Sequence, residues 1–123
     1  SHAHIHLGLL TGNTRLAAEV KLRHFDLWRG FKLGSFGDDH HCRNELARLA
    51  VARARQILGD SLQSDEILII GDTPSDVECA QSVGAKSLAD ATGKFDFASL
   101  SKTGSTRAVK MLTDIQVEEM LRL

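Results

Sequence analysis

Cysteine is scarce in this chain. Cys42 and Cys79 are its only two, they lie far apart, and they form no Cys-x-x-Cys pair. Buried or idle thiols in a reducing cytosol are expected, and with them a cytoplasmic location. Excess charge of either sign is also missing. The formal net charge is −1 with histidine neutral, so nothing electrostatic points to nucleic acid or an anionic membrane surface. No apolar run is long enough to span a bilayer, and no signal-peptide pattern opens the sequence. Internal repeats, low-complexity tracts and linkers are absent too. What remains is an ordinary globular composition, 42% apolar and 25% charged over 123 residues. One domain over residues 1–123, large enough to fold alone without a wide margin, is the expectation.

Strand and helix signals alternate along this chain. A short apolar stretch at His4–Leu10 runs into Thr11-Gly12-Asn13-Thr14, a turn with helix-capping residues. Residues 15–24 favour helix, with Leu16, Ala17, Val20 and His24 near one face. Residues 26–39 read as a loop holding a short strand near Leu33–Phe36. Asn44–Leu58 is a clearer helix, with Leu46, Leu49, Ala50, Ala54 and Ile57 at helical spacing and Gly59 as its stop. Glu66–Ile70 is apolar on both faces, as a parallel strand covered by helices would be. It ends at Gly71-Asp72-Thr73-Pro74, where Thr73 suits an N-cap and Pro74 the first helical position. A short helix to Gly84, a strand at Ala85–Ala91, a helix at Phe97–Lys102 and a strand at Arg107–Leu112 follow. A last helix is expected over Thr113–Leu123, with Thr113 as cap and Gln116 completing a capping box. This alternation predicts an α/β fold with a parallel sheet, whose ligands gather at the C-terminal ends of the strands. Thr11, Asp72 and the neighbourhood of Thr92 are those ends.

Two of these ends carry candidate chemistry. Gly71-Asp72-Thr73-Pro74-Ser75-Asp76 sets two carboxylates across a tight turn into a helix. Hard cations such as Mg²⁺ take one or two carboxylates plus water and substrate phosphate. Asp72 has no evident structural task, whereas Asp76 could equally complete a capping box with Thr73. At the other end, the Thr11 hydroxyl, Gly12 and Asn13 lead into a helix N-terminus, which favours an anion. A plain helix cap by Asn13 or Thr14 is the alternative there.

A strand ending in Leu9-Leu10-Thr11-Gly12-Asn13, followed by one ending in Gly71-Asp72-Thr73-Pro74-Ser75-Asp76, resembles the second and fourth signature motifs of the haloacid dehalogenase (HAD) superfamily. The flavour is closest to its phosphoglycolate-phosphatase-like branch. The resemblance implies a Rossmann-like parallel sheet flanked by helices. It implies that Thr11, with Gly12 and Asn13, contacts the phosphoryl group of a small phosphorylated substrate, and that Asp72 and Asp76 hold Mg²⁺. In the slot of the third motif, which usually supplies a lysine before a proline, stands Arg43-Asn44-Glu45-Leu46. Arg43 could stabilise phosphate charge by a bidentate contact or be a solvated charge at a helix start.

The departure from the family pattern is its first motif, Asp-x-Asp, whose first carboxylate attacks phosphorus. No Asp-x-Asp occurs in the sequence; Asp38-Asp39 is adjacent and Asp90 stands alone. In the family, the strand bearing that motif lies centrally, between those ending at Thr11 and Asp72. The sheet is therefore expected to be incomplete there, with two open backbone edges. Buried unpaired backbone groups cost roughly 1–3 kcal/mol each, so a homo-oligomer or a separate N-terminal segment is expected to fill the gap. The resulting expectation is a HAD-like hydrolase portion whose parent performs Mg²⁺-dependent phosphate monoester hydrolysis and which is inactive by itself. The alternative is a non-catalytic protein that binds itself or a partner through its open edges. His2, His4 and His6 share a strand face at the wrong end for such a site and are read as solvated. Asp38-Asp39-His40-His41-Cys42 offers zinc ligands on paper, but adjacent residues rarely converge on one ion. Trp28, Phe25 and Phe31 are read as a core or interface cluster.

Overall fold

The computed structural model describes residues 5–123, without the side chain of residue 121. His2 and His4 lie outside the described residues. The chain divides into two compact units, Ser1–Leu62 and Gln63–Leu123. Every strand pairing is parallel, and helices follow the strands. This is the expected α/β architecture, a Rossmann-like parallel arrangement flanked by helices.

In the first unit β1 (Leu7–Leu10) pairs with β2 (Phe31–Ser35), and α1 (Arg15–His24) makes the crossover. Thr14 caps α1, its hydroxyl oxygen accepting from the Ala17 N–H at 3.2 Å. The apolar stripe expected to face the core does not. Leu16 and Val20 are 71% and 61% exposed, while Ala18 is buried and Leu22 half-buried. The small Ala18 is the residue that α1 buries, and the larger side chains are turned outward. A 3-10 turn at Trp28–Gly30 then leads into β2, which starts two residues earlier than expected. Phe25 is exposed and meets His24 edge-on at 4.9 Å, apart from Trp28, which faces Phe36 instead.

Helix α2 (Arg43–Leu58) buries Leu46, Ala47, Val51 and Ala54. Ile57, expected on this face, is exposed. The Ser35 hydroxyl donates to the Leu46 carbonyl at 2.7 Å, tying β2 to α2 where both are buried. Gly59 ends the helix at φ 109°, a conformation costly for any side chain. Arg53 reaches across from α2 as a second tie. It donates to the Gly34 carbonyl at 2.5 Å and to both Asp39 carboxylate oxygens at 2.9 and 3.1 Å. Asp39 Oδ2 also accepts from the Phe36 N–H at 2.9 Å.

In the second unit the sheet order is β3 (Leu68–Gly71), β4 (Lys86–Asp90), β5 (Arg107–Val109). Successive residues of β4 serve opposite faces, as strand geometry requires. Ala89 packs with Val77 of α3 (Pro74–Ser82) and Leu100 of α4 (Phe97–Ser101). Leu88 packs with Val109 and Ile115, joined by Met120 of α5 (Val117–Leu121). The last helix is shorter than expected. Thr113 falls in a 3-10 turn, Leu112–Asp114, and Gln116 is the N-cap with Glu119 returning the bond. Burial of Ile115 is the reason: its backbone is extended to reach the core, which breaks the helix at that point. Asp96 caps α4, its Oδ1 accepting from the Ser99 N–H at 2.7 Å, and this bond holds its carboxyl below the usual value.

The Arg53 guanidinium, followed by the Phe36 N–H, holds the Asp39 carboxyl below the usual carboxylate range. Folding therefore favours the ionised form. Its stabilisation is complete above the unfolded value, about pH 4, and is lost as pH falls through the lower folded value. The pair is about one-third exposed, so Asp39→Asn is expected to cost only about 0.5–1 kcal/mol at neutral pH. In urea unfolding, the gap from wild type should narrow progressively as pH falls below about 4. A gap of the same size throughout would contradict this account.

Candidate functional site

In the first unit, Thr11 follows the last residue of β1, its N–H donating to the Ser35 carbonyl at 3.2 Å. Its hydroxyl oxygen accepts from both the backbone N–H and the side-chain amide of Asn13, each at 3.1 Å. Asn13 therefore does not cap α1; it folds back on Thr11, whose hydroxyl proton takes no part in that contact. The Gly12-Asn13 turn is clamped by the loop after β2. Gly37 donates to the Asn13 carbonyl at 2.7 Å, and a Cβ at Gly37 would lie 2.0 Å from the Gly12 oxygen. Gly12 itself has open space at its own Cβ position.

The first turn of α1 is less open to an outside anion than its sequence suggests. The Arg15 N–H donates to Asp38 Oδ1 at 3.0 Å, so a carboxylate from the chain already sits at this helix start. Asp38, Asp39 and His40 turn to three different backbone groups, on Arg15, Phe36 and Cys42. Among the described residues no group of three or more His, Cys, Asp or Glu side chains is placed to hold a metal ion. Arg43 opens α2 after the N-cap Cys42 and is half-buried.

In the second unit, the turn after β3 is organised by Asp76. Thr73 is the N-cap, Pro74 the first helical residue and Asp76 the third, and both bonds of the capping box form. Asp76 Oδ2 accepts from the Asp72 N–H and Thr73 N–H at 3.1 Å each, and from the Thr73 hydroxyl at 2.9 Å. Gly71 makes room for this, since a Cβ there would lie 2.3 Å from the Asp76 carboxylate. Asp72 differs. Its backbone is held, but its half-buried carboxylate accepts no hydrogen bond from any described residue. That carboxylate lies over Gly93, where a Cβ would come within 2.2 Å of Asp72 Oδ2.

Asp90 is the residue that sequence reasoning passed over. It ends β4, one place beyond the Gly71–Ala89 pairing, just as Asp72 lies one place beyond it on β3. It is only 6% exposed, and its Oδ1 accepts from the Thr92 N–H at 3.3 Å and from the Thr92 hydroxyl. The signal was present: a carboxylate directly after Leu88-Ala89, as Asp72 follows Ile70-Gly71. Asp90 closes the Thr92-Gly93 turn on which Asp72 rests.

A profile of HAD-hydrolase-like proteins matches residues 43–116, more than half of the chain. The chain belongs to this family. The matched segment takes in Arg43, Asp72, Asp76 and Asp90 and leaves out Thr11, Gly12 and Asn13. Three solved structures of the same fold are similar. One is a predicted β-phosphoglucomutase from Thermotoga maritima, with TM-score 0.73, 25% identity, and 87% of this chain covered against 49% of that one. Two are predicted phosphatases. That from Clostridium difficile has TM-score 0.79, 23% identity and coverage of 94% and 52%. That from Clostridium acetobutylicum has TM-score 0.76, 24% identity and coverage of 98% and 54%. The chain thus spans about half the length of each. No curated protein sequence matches it. Among the described residues, no helix is long and apolar enough to cross a membrane.

The two carboxylates of this HAD-family turn should separate by mutation. Asp76→Ala removes an acceptor of three hydrogen bonds and should lower unfolding free energy by about 2 kcal/mol. Asp72→Asn, which removes no such bond, should stay within about 0.5 kcal/mol. Equal losses in urea titrations would contradict the division of labour.

Proposed function

We propose that this chain supplies the phosphate- and Mg²⁺-binding residues of a HAD-family hydrolase acting on small phosphate monoesters, in the phosphoglycolate-phosphatase-like manner. One observation carries the reading. Asp72 stands at a parallel strand end with a carboxylate that accepts no hydrogen bond from a described residue, while its neighbour Asp76 is committed to holding the turn. The two predicted phosphatases and the predicted phosphoglucomutase of the same fold support it.

The residues fit a magnesium ion of the kind that takes one carboxylate and fills its other positions with water and phosphate oxygens. Asp72 would hold the ion. Asp76 orients Asp72 through the Asp72 N–H. Bound Mg²⁺ would supply positive charge against the phosphoryl oxygens. In the first unit, the Thr11 hydroxyl would donate to a phosphate oxygen, since its oxygen already accepts from both Asn13 donors. Arg43 would add its positive charge to phosphate binding. None of these side chains is a nucleophile of the Asp-x-Asp type, and the sequence holds no such motif. These residues bind and orient; they do not by themselves complete the covalent step.

Calorimetry with Mg²⁺ alone tests the reading directly. Asp72→Asn should weaken Mg²⁺ binding about tenfold or more, Gly93→Ala should weaken it by displacing the carboxylate, and Thr11→Ala should leave it unchanged. Turnover of p-nitrophenyl phosphate by this 123-residue chain should stay near background. Unchanged Mg²⁺ affinity in Asp72→Asn would contradict the proposal and favour a non-catalytic scaffold that binds a partner.

A further inference from the structure

An open cleft of about 400 Å³ lies within the first unit, beside β2, and Thr11 is not among its lining residues. Its volume falls in the range of small-molecule sites, roughly 300–1,000 Å³. Trp28 and Phe31 form an aromatic wall, and Arg15, Lys32 and Arg53 bring cations to it. Two carboxylates also line it, and both are engaged. Asp39 is bound by Arg53 and the Phe36 N–H, and Asp38 accepts from the Arg15 N–H. Arg53 is neutralised by Asp39. The side chains of Arg15 and Lys32 form no ion pair or hydrogen bond with a described residue. The Arg15 and Arg23 guanidinium carbons each stand 6.0 Å from the Trp28 ring centre, so the ring sits in a positive field.

We propose that this cleft binds a small anion that carries an aromatic ring, of the size of a nucleoside monophosphate. The anionic group would be taken by Arg15 and Lys32, as charge-assisted hydrogen bonds favour. The ring would pack against Trp28 and Phe31. Arg15, Lys32 and Arg53 against Asp38 and Asp39 leave the lining net positive, which favours an anion over a cation, and a bare inorganic anion would leave Trp28 and Phe31 wet. The proposal uses none of Thr11, Asp72 or Asp76, so it stands or falls separately from the hydrolase reading.

Trp28 is the sole tryptophan, and the chain has no tyrosine, so its fluorescence reports on this cleft alone. AMP titrated in EDTA should change that emission saturably, in wild type and in Asp72→Asn alike. Adenosine and inorganic phosphate should each bind about tenfold more weakly than AMP, and Arg15→Gln and Lys32→Gln should each lose about tenfold in affinity. Calorimetry serves as the second readout, and circular dichroism confirms that the two exposed-site variants remain folded. Neither emission change nor heat at millimolar AMP, or binding that both variants retain in full, would overturn the proposal.

Discussion

Oδ2 of Asp76 accepts three donors at once: two backbone N–H groups and the Thr73 hydroxyl. The two N–H groups lie at the junction between strand β3 and helix α3, where backbone donors have no partner within the helix. The arrangement requires a glycine at 71, because a side chain there would occupy the space of the Asp76 carboxylate. It fixes the Asp72 backbone as a consequence. Asp72 can then extend over the Thr92-Gly93 turn, whose own shape is held by the buried Asp90. One carboxylate is spent on structure so that its neighbour can stay uncommitted. The Asp72 carboxylate is thereby held in place while accepting no hydrogen bond from any described residue.

Strand and helix order was legible in the sequence, because alternating apolar runs and punctuating glycines and caps report it directly. Thr73, Pro74 and Asp76 illustrate the point: cap, first helical residue and capping box are local chemistry, and all form as read. What was not legible depended on tertiary packing. Leu16 and Val20 sit at helical spacing, yet α1 buries Ala18 and leaves both exposed. Thr113-x-x-Gln116 satisfies a capping pattern, but burial of Ile115 draws the backbone out of helix there. Local propensity proposed those elements, and the core overruled them.

The same division runs through the candidate residues of each unit. Thr11 and Asp72 were candidates because strand ends and turn chemistry mark them, and the structure does place both at strand ends. Competition for hydrogen bonds was invisible. Nothing in the sequence says that Asp38 reaches back to the Arg15 N–H, or that Asn13 turns to Thr11 while Thr14 does the capping. Asp90 was visible by analogy with Asp72, since each stands one place beyond the Gly71–Ala89 pairing, but its structural task appears only with the Thr92 contacts. Family membership adds weight to Asp72 and Asp76, which the matched segment contains, and leaves Thr11 to rest on its geometry.

Asp72, presented by Asp76 and resting on Gly93, is the centre of this account. Paramagnetic Mn²⁺ in place of Mg²⁺, followed by amide NMR, locates a bound ion without reference to turnover. Resonances of Asp72, Thr73 and Gly93 should broaden first, and Asp72→Asn should abolish the effect at the same Mn²⁺ concentration. Broadening centred instead on the Asp38–Cys42 loop, or unchanged by Asp72→Asn, would contradict it.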